Sequence, residues 1–332
     1  METPEYLPSI SVQAAVFGPD ESYIVAVCMG TRFDIEVRAD NLQGSPYLDE
    51  YIKLAAPLDN SDFEDDEDAV EALLDWVYRP LRPRFQALTP IDPHTITLQR
   101  SFFPPSIHVE VVVLDGVLTA KPVDDREMRW PTEGMIEWRE SYASPYIPRI
   151  KASDLTVVAA HHNDNPTCDV PQRVRTKDGI LRFFKDCTNT SQILRELEIA
   201  SRIWEQGLYE NLRISRVHGI AMSDDDNYML GLVLDLIRTE HGNLNRPELK
   251  SQTHFHAKWA EQVRHIITVL HANDIVWGDV HPGNIVIDRN DDAWVVDFGG
   301  GYIEGFVPRK LKETKKGDWE GFNKIFKEWI KN

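Results

Sequence analysis

The stretch "WGDVHPGNIVIDRNDDAWVVDFGGGY", Trp277 to Tyr302, constrains this chain more than any other. Two apolar runs flank the turn-forming "DRNDD", a pattern that predicts a β-hairpin. Asp279 and Asn284 fall on the loop entering its first strand, and Asp297 falls at the end of the second. All three then converge at one edge. Asn284 and Asp297 form an all-oxygen pair suited to Mg²⁺ bridging phosphate oxygens. Asp279 stands apart as a carboxylate able to orient or deprotonate an attacking hydroxyl. Gly299, Gly300 and Gly301 follow, allowing backbone angles that other residues resist.

The chain has 332 residues, 42% of them hydrophobic and 27% charged, enough for two globular domains. Cys28, Cys168 and Cys187 are far apart and form no CxxC or Cys/His cluster, which argues against a disulfide framework or structural zinc. No apolar run is long enough to span a membrane, and "METPEYLPSI" lacks the features of a signal peptide. The expectation is a cytoplasmic protein with no membrane partner. A net charge of −18 opposes indiscriminate nucleic-acid binding but leaves room for a local basic patch. The acidic run "DFEDDED" (62–68) reads as a solvated loop, while the basic run "RKLKETKK" (309–316) directly follows the hairpin motif.

Residues 1–150 read as a β-rich domain, with strands at 9–17, 22–29 and 32–38. A helix over "AVEALLDWVY" follows, and then a hairpin turning at Asp115-Gly116. From Lys151 the expected order is strands at 154–160, 171–176 and 180–186, then a long amphipathic helix carrying Ile193, Leu197, Ala200 and Ile203 on one stripe. Two strands, a helix from Phe255 to about Ala272 and the hairpin complete it.

"GDVHPGN" followed thirteen residues later by "DFG" resembles the catalytic and metal-binding loops of the protein-kinase fold. The form is closer to aminoglycoside-phosphotransferase-like and fungal kinase-like proteins than to Ser/Thr kinases. The resemblance covers about 150–332. It implies an α+β, bilobal kinase-like fold (N-lobe 151–237, truncated C-lobe 238–332) preceded by the β-rich domain. It makes Asp279 the catalytic base, with Asn284 and Asp297 the Mg²⁺ ligands. Lys185 takes the place of the strand lysine that pairs nucleotide phosphates, with Glu196, or its rival Glu198, as its helix partner. Asp235 to Ile237 would offer backbone groups to an adenine, and Asp318 resembles the helix residue bracing the catalytic loop. His281 stands where a lysine is usual; contact with the transferring phosphoryl group and a loop-stabilising hydrogen bond are both open to it.

Two departures qualify this. "HHNDNPTC" (161–168) stands where a glycine-rich phosphate loop is expected, and the chain ends 35 residues after Asp297, leaving no helical platform for protein substrates. The first functional expectation is therefore ATP- and Mg²⁺-dependent phosphotransfer to a small molecule. The second is a general similarity to fungal arginine-containing cyclodipeptide synthases, which join aminoacyl groups taken from tRNA and need no such cofactor. Candidate contacts for substrate or tRNA are then Arg309, Lys310, Lys312, Lys315 and Lys316, with Asp124, Asp125 and Glu127 for an arginine side chain. The third is a non-catalytic kinase-fold scaffold.

Overall fold

The computed structural model describes residues 10–59, 66–89, 91–123, 134–159 and 170–331. They divide into two compact units, 10–123 and, together, 134–159 with 171–331, both mixing helices and strands.

In the first unit, β1 (Ile10–Val16), β2 (Glu21–Cys28) and β3 (Thr31–Arg38) form an antiparallel meander. The β2–β3 turn is tight, with Met29 and Gly30 both at positive φ. The chain then runs through helices: α1 (Pro46–Ala55), α2 (Glu67–Tyr78), and the short α3 (Arg82–Gln86) and α4 (Leu98–Phe102). Asp66 caps α2 by accepting from the Ala69 N–H, and Thr97 caps α4 by accepting from the Arg100 N–H. This crossover returns the chain as β4 (Ser106–Leu114), parallel to β3. The hairpin to β5 (Val117–Pro122) turns at Asp115 and Gly116, both at positive φ. Alternation sends Phe33, Ile35 and Val37 to one face, where they share a core with Leu73, Trp76, Val77 and Phe85. The β-rich reading thus needs a correction: four helices join the five strands.

The second unit holds a seven-stranded sheet: β6 (Ile136–Glu137), β7 (Arg149–Lys151), β8 (Thr156–Val157), β9 (Arg173–Arg175), β10 (Leu181–Asp186), β11 (Val217–Met222) and β12 (Tyr228–Asp235). Residues 134–150, placed before the boundary on sequence grounds, belong to this unit: β6 pairs with β12, and β7, which runs across that boundary to Lys151, pairs with β11. Helix α5 (Thr190–Glu205) starts at Asn189, whose side chain accepts from the Gln192 N–H, and ends before Gly207 at φ 64. Its buried stripe is Ile193, Glu196, Leu197, Ala200 and Ile203.

Beyond the sheet come α6 (Pro247–Lys250), α7 (His256–Ala272), the hairpin β13 (Ile285–Ile287) and β14 (Ala293–Val295), and α8 (Lys315–Asn323). Trp259, Ile266, Leu270, Trp277, Ile285, Val295, Phe322 and Ile325 pack into one core that carries the hairpin. Among the described residues, no helix is long and apolar enough to cross a membrane.

Trp76 is fully buried and also donates its indole N–H to Glu50 Oε2 at 3.0 Å. Trp76→Ala is expected to destabilise the first unit by about 3–5 kcal/mol, read from urea unfolding against the wild-type chain.

Candidate functional site

The site grows from three chain segments. Strand β10 carries Lys185, α5 carries Glu196, and the segment after β14 carries Asp297. The Lys185 ammonium lies 2.6 Å from Glu196 Oε2 and 2.7 Å from Asp297 Oδ1. Glu196, whose side chain is only 2% exposed, is thus the partner of Lys185, and the rival Glu198 is exposed. Burial works against the Lys185 charge, but the two carboxylates more than offset it and raise its pKa above the ordinary lysine value. Burial, the largest influence on Glu196, pushes its carboxyl up, while Lys185 pulls the other way.

Asn284 sits in a single helical turn, Pro282–Asn284, at the entry to β13. Its amide nitrogen donates to Asp279 Oδ2 and to the Asp279 carbonyl, both at 3.1 Å. His281 accepts the Gly283 N–H at Nδ1 (3.1 Å), and its Nε2 lies 3.7 Å from Asp279 Oδ2. The loop-stabilising role therefore takes Nδ1. In the neutral ring the proton then sits on Nε2, the nitrogen on the Asp279 side.

Asp318 braces this loop from beneath. It is 2% exposed and accepts the Trp277 and Gly278 N–H groups, each at 2.9 Å, while His271 Nε2 lies 2.8 Å away. Two glycines are needed where backbone passes close by. Gly278 has φ 88, and a Cβ there would meet Arg195 Nη2 at 2.7 Å; a Cβ on Gly301 would meet the Asp279 carboxylate at 2.6 Å.

A cavity of about 370 Å³ opens between the sheet and the hairpin. Lys185, Glu196, Asp235, Ile237, Asn284 and Asp297 all contribute to its wall. The N–H of Asp235 is already donated to the Arg216 carbonyl, whereas the N–H groups of Leu236 and Ile237 have no backbone acceptor among the described residues. The Asp235 side chain pairs with Arg182 and lies 2.7 Å from His218 Nε2. Burial pushes its carboxyl up, but the His218 hydrogen bond and the nearby cations outweigh that, leaving it below the usual carboxylate range.

The remaining candidates are distributed differently. Arg309, Lys310, Lys312, Lys315 and Lys316 are exposed and do not line the cavity. Lys315 is tied to Asp274 Oδ1 (2.6 Å) and the His271 carbonyl, and Lys312 to Glu313 Oε1 (3.2 Å). Asp124, Asp125 and Glu127, and the segment 161–168 where the resemblance leads one to expect a glycine-rich loop, lie outside the described residues. Cys28 and Cys187 are buried thiols, and burial pushes Cys187 well up.

Sequence reasoning missed Arg195. Its guanidinium donates to the carbonyls of Val276, Trp277 and Phe298, fastening α5 to the loops that carry Asp279 and Asp297. Gln192, one turn earlier, adds a bond from Nε2 to the Gly300 carbonyl at 2.9 Å. Their partners are backbone carbonyls distant in sequence, which no residue pattern announces. Among the described residues, no group of three or more His, Cys, Asp or Glu side chains is arranged to hold a metal. Set against protein-family models and curated proteins, the chain matches none.

Removing the ammonium exposes how Glu196 is held. In Lys185→Met the buried carboxylate loses its cation, so its folded-state pKa rises further above the unfolded value of about 4.3. A raised carboxyl binds protons more tightly when folded, so stability falls as pH rises through the window between those two values. The variant is expected to lose about 3 kcal/mol relative to wild type near pH 8, and distinctly less near pH 5. Urea unfolding at both pH values checks the sign.

Proposed function

We propose that this chain is a kinase-like phosphotransferase, its second unit a bilobal fold of that type, which moves the terminal phosphoryl group of ATP to a small-molecule hydroxyl. The observation that carries the reading is the Lys185 ammonium, held between Glu196 and Asp297 on the wall of a cavity that Asn284 also lines. A cation so placed binds phosphate oxygens, and the apolar part of the cavity suits a nucleobase.

Asn284 and Asp297 fit Mg²⁺. The Asn284 amide nitrogen is committed to Asp279, leaving its carbonyl oxygen as a ligand, and the Asp297 carboxylate meets Lys185 through Oδ1 alone. A magnesium ion bound with phosphate needs no more than one or two protein carboxylates, so the lack of a three-acid cage is no obstacle. When bound, it supplies charge neutralisation at the phosphate oxygens.

The chain's own groups do the rest. Lys185 anchors the nucleotide phosphates, while the Ile237 N–H faces the base. Asp279 receives the Asn284 amide on Oδ2, which leaves Oδ1 to accept the proton of the acceptor hydroxyl. The acceptor oxygen–phosphorus bond then forms as the bond to the ADP oxygen breaks, and the proton passes to Asp279.

A second reading is favoured by one observation. Arg309, Lys310 and Lys316 are exposed and have no ion pair among the described residues. The segment that carries them begins at Gly301, beside Asp279. A basic strip there suits the phosphates of a tRNA acceptor end. Asp279 would then be the base for aminoacyl transfer from arginyl-tRNA and a second aminoacyl-tRNA, giving an arginine-containing diketopiperazine with no nucleotide cofactor. Mass spectrometry for cyclic dipeptides after incubation with charged tRNAs separates the two.

The phosphotransferase reading expects Mg²⁺-dependent ATP binding by calorimetry. Asp279→Asn is expected to keep that affinity within about twofold while losing at least about 100-fold in turnover, seen as a phosphorylated metabolite absent from a host expressing the variant. No binding at about millimolar nucleotide, the upper range of ordinary substrate affinities, rules it out.

A further inference from the structure

Five buried side-chain polar atoms have no hydrogen-bond partner among the described residues: Tyr78 Oη, Arg82 Nε, Arg182 Nε, Tyr209 Oη and Ser215 Oγ. Of these residues only Ser215 lines the cavity. It is 6% exposed, and its place is fixed by its backbone: the Ser215 N–H donates to the Val295 carbonyl at 3.0 Å, on the strand that leads into Asp297. Beside the charged and polar groups of the wall, Phe183 and Leu234 from the sheet and Val286 and Val296 from the hairpin supply its apolar surface. An unsatisfied hydroxyl in such a setting costs stability unless something completes it. Rotation about χ1 moves a serine hydroxyl between staggered wells at small cost, so Oγ is free to seek a partner.

We propose that Ser215 is a specificity-determining residue of this cavity: its hydroxyl hydrogen-bonds the polar edge of a purine base whose ring lies between those apolar side chains. The inference rests on the nucleotide reading above and sharpens it, since a hydroxyl both donates and accepts and meets a ring nitrogen or an exocyclic amine equally well. A purely packing role and a ligand-binding role differ in what the replacement does to affinity. In either case, removing an unsatisfied hydroxyl relieves the empty protein. Only if Ser215 is kept for a ligand does its removal also weaken binding.

The experiment compares wild type with Ser215→Ala, using ATP with Mg²⁺ as the probe in calorimetry and thermal unfolding of the nucleotide-free chain as the second readout. Ser215→Ala is expected to bind ATP about fivefold more weakly and to melt about 2 °C higher. Unchanged ATP affinity, or a variant that melts lower or fails to fold, overturns the assignment while wild-type ATP binding leaves the nucleotide reading standing. Wild-type protein that binds no ATP removes both.

Discussion

One ammonium group holds the second unit's site together. Lys185 reaches from β10 to Glu196 on α5 and to Asp297 beyond β14, joining segments 112 residues apart in sequence. Two carboxylates within hydrogen-bond reach of one point repel each other strongly unless a cation sits between them. A carboxylate as deeply buried as Glu196 is equally untenable without a partner. The lysine solves both problems, and in doing so fixes the helix, the sheet and the hairpin end relative to one another. Arg195 repeats the link one residue earlier, through backbone carbonyls rather than charges. Rotation of α5 would therefore break charged and neutral contacts together.

Much of this was legible because the relevant segments are short and locally determined. The hairpin around "DRNDD" and the placement of Asp279, Asn284 and Asp297 near one edge follow from turn chemistry and strand alternation. The choice between Glu196 and Glu198 was also latent in helix phase: Glu196 lies three residues after Ile193 and four before Ala200, on the buried stripe, whereas Glu198 is on the exposed side. Helix α1 had its signals too, with Pro46 at the first helical position and Tyr51 and Ala55 four residues apart on the buried face.

Other features were beyond sequence reasoning for physical reasons. Strands β6 and β7 are two and three residues long, too short for any period to show. Their attachment to the second sheet depends on what edge is available, and that is a property of the assembled fold. Ser215 sits in a run that reads as an ordinary strand. Its significance comes from the cavity beside it and from a hydroxyl that has no partner among the described residues.

Asp297 shows how the assembled fold holds a conformation that local chemistry disfavours. It has φ 61, a region that costs a non-glycine residue about 1 kcal/mol or more. The surrounding bonds offset that cost: Oδ1 takes the Lys185 ammonium at 2.7 Å and the Gly299 N–H at 3.1 Å, and its carbonyl takes the Trp277 indole N–H at 3.2 Å. Both side-chain bonds fall on the same oxygen. The carboxylate is therefore oriented by Oδ1, while Oδ2 has no hydrogen bond among the described residues and remains the acceptor available to a ligand. A strained backbone that fixes one oxygen and leaves the other open is the arrangement the proposed cation-binding role calls for.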